Sequence, residues 1–214
     1  MVQIITKEDS LYPESLRQIG WPPPALFCEG NIELLATKNI AVVGTRRMTN
    51  YGKEVTETFV RDLVADGWCI VSGLARGVDR VAHETTLKYH GKTLAVLAHG
   101  LDTTYPPEHV GLRRRIVENG GLVVSEYPNG ERLTKQRLAL RNRVVVGLSR
   151  CVLVTESPKS SGTKITVGWA ADSGRDVYVV PGPVTDPTYE GSTELIKDGC
   201  IPVFSAKDII SSFV

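Results

Sequence analysis

Ile40-Ala41-Val42-Val43-Gly44-Thr45-Arg46-Arg47 is an unbroken apolar run, then a glycine, then a pair of arginines. An unbroken apolar run of this length reads as a strand buried on both faces, as in a parallel sheet. The same order recurs downstream. Cys69-Ile70-Val71 leads into Ser72-Gly73-Leu74-Ala75-Arg76-Gly77-Val78-Asp79, and Val152-Leu153-Val154 precedes Ser160-Ser161-Gly162-Thr163-Lys164. In an open parallel sheet, loops at the carboxyl ends of strands line one crevice, where ligands bind. Glycines bring backbone N–H groups close to a ligand, and helix N-termini add partial positive charge. Arg46, Arg76 and Lys164 carry full charges to the same edge. The expected ligand bears phosphate: a nucleotide or a nucleic-acid backbone.

Outward from these loops the pattern alternates. Apolar strand candidates fall at 40–43, 68–71, 93–97, 121–125, 151–155, 177–180 and 201–204. Amphipathic segments lie between them at about 51–66, 79–90, 108–119, 137–149, 163–173 and 190–198. Val55, Phe59 and Leu63 recur at steps of four, a helical stripe. Strands alternating with helices predict an α/β fold, a Rossmann-like open parallel sheet with helices on both faces. Residues 1–37 read as a short N-terminal extension packed on the core. A short helix is expected within 11–19, broken by Trp21-Pro22-Pro23-Pro24. Residues 38–214 form the main domain.

The composition narrows the class. With 214 residues, 42% hydrophobic and 23% charged, the chain suits one soluble domain with a substantial core. Its formal net charge is only +1, so a nucleic-acid binder here needs a local basic patch. Cys28, Cys69, Cys151 and Cys200 are widely spaced without a C-x-x-C pair, which predicts reduced, buried thiols of a cytoplasmic protein. No apolar stretch nears the ~18 residues of a membrane span. The first residues, Met1-Val2-Gln3-Ile4-Ile5-Thr6-Lys7, do not read as a signal peptide. There is no G-x-G-x-x-G fingerprint, Walker loop or G-x-S-x-G elbow. The four histidines (His83, His90, His99, His109) form no metal-ligand pattern. No cofactor and no catalytic constellation is expected, although Glu126 and Glu156 each follow a strand as candidate acid–base groups.

Several residues keep two readings. Gly44-Thr45-Arg46-Arg47 is either a phosphate-binding turn or a tight turn with solvated arginines. Asp79 either caps or braces the Ser72–Asp79 loop, or meets a ligand. In His99-Gly100-Leu101-Asp102-Thr103-Thr104-Tyr105-Pro106, Tyr105 either stacks on a base or packs on Pro106. Arg113-Arg114-Arg115 reads as a solvated face. Arg141 and Arg143, near a helix start, oppose the dipole preference for acids there. They face either an anion or an internal carboxylate, with Glu126 and Glu156 available. Ser161, Gly162 and Thr163 offer hydroxyls and amides to an anion.

Taken in order, these elements resemble the DprA/Smf family of DNA-processing proteins. The resemblance rests on Gly44-Thr45-Arg46 with Tyr51-Gly52; Ser72–Asp79 with Ala82-His83; Gly100-Leu101-Asp102 with Tyr105-Pro106; Ser125-Glu126-Tyr127-Pro128 with Gly130; Arg141-Asn142-Arg143 with Gly147-Leu148-Ser149; Ser161-Gly162-Thr163; Gly174-Arg175; and Val180-Pro181-Gly182. Tyr12-Pro13, Pro22-Pro23 and Gly30-Asn31 look like its lead-in. The resemblance covers nearly the whole chain, in the form of a single Rossmann-like domain. Many relatives add an N-terminal helical domain and a C-terminal winged-helix-like domain.

The resemblance implies a Rossmann-like protein that binds and protects single-stranded DNA, helps load a RecA-type recombinase in transformation or recombination, dimerises with itself and has no established enzymatic activity. Carried over, Arg46 is the principal phosphate-contacting arginine. Gly44, Thr45, Ser72, Gly73 and Gly162 supply backbone and hydroxyl contacts, and Arg141 with Arg143 braces or lines the pocket. Arg76, Gly77, Ser161, Thr163 and, on charge alone, Lys164 complete the expected DNA-binding set. Leu138-Ala139 stands where the family has Phe-Pro, His109 where Asn is usual, and Thr193 where Asn is usual. The rival reading is a nucleotide-binding or nucleoside-monophosphate phosphoribohydrolase-like protein. It is disfavoured because Pro181-Gly182-Pro183 and Ser161-Gly162-Thr163 lie in separate loops.

Overall fold

The computed structural model describes residues 2–213. Nine strands form one sheet: β1 (Val2–Thr6), β2 (Ala25–Gly30), β3 (Asn39–Val43), β4 (Cys69–Ser72), β5 (Thr93–Leu97), β6 (Leu122–Ser125), β7 (Cys151–Val154), β8 (Val177–Val179) and β9 (Ile201–Pro202). The helices are α1 (Glu14–Arg17), α2 (Asn50–Ala65), α3 (Val78–Lys88), α4 (Val110–Glu118), α5 (Lys135–Gly147), α6 (Thr163–Asp172), α7 (Glu190–Lys197) and α8 (Ala206–Ile210). The sheet order is β1-β2-β6-β5-β4-β3-β7-β8-β9. Its last six strands, β5-β4-β3-β7-β8-β9, have the doubly wound order 3-2-1-4-5-6.

Alternation along each strand divides the core. Ala41 and Val43 of β3 face one apolar layer with Val144 and Val145 of α5, Ala170 of α6 and Leu195 of α7. Ile40 and Val42 point to the other layer, against Phe59 and Leu63 of α2, Val78 and Ala82 of α3 and Ile209 of α8. Leu112 and Ile116 of α4 extend that side over Ala95, Leu97 and Val123. Period-two side chains on strands covered from both sides require this arrangement.

Two expectations need correction. The sheet is mixed, not purely parallel: β1 pairs antiparallel with β2, and β2 antiparallel with β6. The stretch 1–37 therefore adds two strands to the main sheet, with Leu26 and Cys28 buried in the same core layer as Val124. The helix expected within 11–19 shrinks to Glu14–Arg17.

The cysteines are free, and Cys28, Cys69 and Cys151 are buried. Burial pushes the thiol pKa of each up to about 12, so they behave as small apolar side chains. No helix among the described residues is long and apolar enough to cross a membrane.

Candidate functional site

Chain order reverses at β3. The chain runs outward through β4 and β5 to β6, then returns to place β7 on the other flank of β3. The loops after β3 and β7 diverge there, and the gap between them is the crevice of a doubly wound sheet. It encloses about 620 Å³. Gly44, Thr45 and Arg46 line one wall, Ser161, Gly162 and Thr163 the opposite wall, and Gly73, Asp79 and Arg141 the floor toward β4.

Backbone bonds fix the loops against one another. The Thr45 N–H donates to the Glu156 carbonyl at 2.9 Å, and the Val78 N–H donates to the Thr45 carbonyl at 3.1 Å. Thr45 thus ties the ends of β3, β4 and β7 together. Gly77 makes the approach possible. Its φ is +73°, and a β-carbon there would run into the Thr45 carbonyl. Asp79 reaches back from α3, accepting from the Gly73 N–H at 3.1 Å and the Ala75 N–H at 3.2 Å. It braces the loop, one of the two roles open to it.

The arginines divide by their partners. Arg46 is exposed at the rim, with no carboxylate partner among the described residues. Arg141 is buried under Gly73 and donates to the Gly73 carbonyl at 2.6 Å and to the Val96 carbonyl. Gly73 is glycine because a β-carbon would occupy the Arg141 guanidinium. Burial lowers the pKa of Arg141; Asp79 opposes the shift and Arg46 adds to it. Three cations, Arg46, Arg47 and Arg141, line the crevice, and an anion placed there relieves their mutual repulsion.

Other expected site residues are placed elsewhere. Arg143 forms a two-pronged pair with Glu126, at 2.7 and 2.6 Å, and donates to the Trp21 carbonyl. Its side chain is 4% exposed, so it is an internal brace and does not reach the crevice. Lys164 bonds Glu194 at 2.7 Å, outside the lining. The Ser72 hydroxyl is buried and donates to the Val42 carbonyl at 2.7 Å, which leaves it unavailable to a ligand. Arg76 pairs with Glu108 at 2.6 Å, with both side chains about half exposed; such pairs are weak and open readily. Arg113 is not solvated as expected: it is 12% exposed and bonded to Glu29 and to the Leu101 and Thr103 carbonyls.

The candidate acid–base carboxylates are both occupied structurally. Glu156 is buried and accepts from the Thr49 N–H, from the Thr49 hydroxyl at 2.8 Å and from the Tyr189 hydroxyl at 3.2 Å. It sits where the dipole of α2 favours a negative charge.

A recess adjoins the crevice, sharing Arg46, Gly73, Ala75 and Arg141 with it. Its other walls are Leu97, His99, Tyr105, Leu133 and Leu138. Tyr105 is 42% exposed and precedes a cis proline, Pro106. Burial lowers the pKa of His99, so a neutral imidazole faces the recess at pH 7. Leu133 and the crevice residue Thr188 carry no local signal in the sequence, and Asn142 was singled out only as part of the Arg141-Asn142-Arg143 element. Only the tertiary fold brings them to the edge.

These features define an open α/β protein with a basic, amide-rich crevice at the switch point of its sheet. The profile of the family described as DNA recombination-mediator protein A matches residues 3–214, and the chain belongs to that family. The Smf protein of Escherichia coli is 38% identical over 209 residues, 98% of this chain and 56% of its own length. The chain thus spans little more than half of that relative. The structure of DNA processing protein A from Streptococcus pneumoniae superposes with a TM-score of 0.93 at 38% identity, covering 99% of this chain and 74% of that one. The Helicobacter pylori protein, described for its single-stranded DNA binding mode, gives 0.87 at 32% identity over 98% and 95% of the two chains.

Proposed function

We propose that this crevice binds single-stranded DNA, with Arg46 and the backbone amides of Gly44, Thr45, Gly73, Gly162 and Thr163 holding phosphates. The observation that carries this reading is the unpaired Arg46 guanidinium between two glycine loops at the switch point. Arg141 supports it from below, Arg76 and Ser161 extend the lining, and Gly77 holds the loops in place. A base enters the recess beside His99 and Tyr105, between Leu133 and Leu138. Phosphate contacts give affinity without sequence preference, and stacking on Tyr105 adds to it. Similarity to the Helicobacter pylori protein, nearly all of which this chain covers, supports the same reading.

The role that follows is DNA protection and delivery to a RecA-type recombinase, by a cytoplasmic homodimer without catalytic activity of its own. Two crevices on one strand would raise apparent affinity through effective concentration. The nucleotide-hydrolase reading requires the two glycine loops to converge. Instead Gly182 packs under the Tyr189 ring, while Gly162 lines the crevice.

Fluorescence anisotropy with a labelled single strand and a duplex of equal length, each at two salt concentrations, tests the proposal. Tight, salt-sensitive binding that prefers the single strand is expected. Equal binding of duplex, or binding of mononucleotides instead, contradicts it.

A further inference from the structure

Gly174-Arg175 belongs to the sequence pattern but has no part in the crevice. Arg175 precedes β8, at the opposite edge of the sheet. It lines a groove of about 670 Å³ between the Ser10–Arg17 segment, the 3-10 turn Ile32–Ala36 and the turn leading into β7. Three arginines meet there: Arg17, Arg150 and Arg175.

Their partners differ. Arg17 is fully engaged, by Glu14 at 3.1 Å and by the Lys7 and Asp9 carbonyls. Arg175 donates one Nη to the Ser15 carbonyl at 3.3 Å, and its Nε is buried with no acceptor. Arg150 is exposed, with no carboxylate partner among the described residues. Of the two acids lining the groove, Glu14 is neutralised by Arg17 and Glu33 is exposed. The Arg175 guanidinium, with one buried donor unpaired and only a long bond to a carbonyl, has no anion to offset its charge, which is costly in a partly buried group.

We propose that this groove is a second phosphate site, independent of the crevice, in which the Nη groups of Arg175 and the exposed Arg150 bind a phosphate or pyrophosphate group. The four residues of β7 separate the two edges, roughly 13 Å at about 3.3 Å per residue. One phosphate cannot serve both sites. The group belongs either to a small phosphorylated molecule or to a nucleic-acid backbone; the chemistry is shared. Its presence would tie the Ser10–Arg17 segment to the starts of β7 and β8.

Thermal melting of the full chain in sodium pyrophosphate, against sodium chloride of equal ionic strength, tests this. A rise of a few degrees is expected for the wild type and for Arg46→Ala. On the Arg46→Ala background the rise should vanish when Arg175→Gln or Arg150→Gln is added. Arg150 is exposed, so its variant keeps the fold and reports binding alone. No rise in the wild type, a rise lost in Arg46→Ala, or a rise that survives Arg150→Gln on the Arg46→Ala background would overturn the proposal. On the Arg46→Ala background, an Arg150-dependent rise with an eight-nucleotide oligothymidylate assigns the phosphate to nucleic acid. A rise with pyrophosphate alone assigns it to a small molecule.

Discussion

Arg143 and Arg46 are both arginines of the sheet's carboxyl edge, and burial gives them opposite functions. Arg143 is committed to Glu126 inside the protein. Removing one member of a buried pair leaves an uncompensated charge, so Arg143→Ala should lower stability by about 3–5 kcal/mol. Urea unfolding measures that loss, and the folded fraction should keep its DNA affinity. The sequence named both arginines but could not separate them. The carboxylates that occupy Arg143 and Lys164 lie 17 and 30 residues away along the chain, and pairings at that distance leave no local trace. Gly44 and Gly73 were legible because each stands at the end of an apolar run, and Gly162 because it sits among hydroxyl residues at a helix start. The Ser72 hydroxyl was misread because its acceptor is the carbonyl of a neighbouring strand.

His83 gives a pH signature at the same scale. It is buried in α3, with Nδ1 2.7 Å from the Thr93 hydroxyl. Burial lowers its pKa from 6.5 to about 3, with His109 and Arg141 contributing. The folded state therefore refuses a proton that the unfolded state accepts below pH 6.5. Stability is retained above pH 6.5 and falls as pH drops toward 3, by up to about 1.4 kcal/mol per pH unit for this one group. Urea midpoints across that window should show a shallower slope in His83→Gln; an unchanged slope would exclude His83 as a source.

Among elements, α2 shows how a helix start and the site depend on each other. Thr49 caps it, its hydroxyl accepting from the Gly52 N–H at 3.0 Å, and Glu156 grips Thr49 from the β7 loop. Thr49→Ala should cost about 1–2 kcal/mol by thermal or urea unfolding. Loosening this contact also frees the loop that carries Arg46, so weaker DNA binding should accompany it. Helix α2 was legible because its Val55-Phe59-Leu63 stripe is long: the segment expected at 51–66 is Asn50–Ala65. β1 and β2 were not legible. β1 has one buried residue in five, β2 buries only Leu26 and Cys28 and follows directly on a run of prolines, and both depend on antiparallel partners that no local pattern specifies.

Over the whole molecule, sheet order decides where function lies. Parallel strands were expected from the alternation of β and α segments, but their order was not. Only the crossing at β3 shows that the loops after β3 and β7 face each other across a gap, while the loop after β4 forms its floor. The near-neutral net charge of +1 is consistent with this, since positive charge is needed only locally. Arg46 at that gap is the central claim. The most direct test is the salt dependence of single-stranded DNA affinity for wild type and Arg46→Ala, by anisotropy across several salt concentrations. A tenfold or greater loss of affinity with a slope shallower by about one counterion is predicted. Unchanged affinity and an unchanged slope would contradict it.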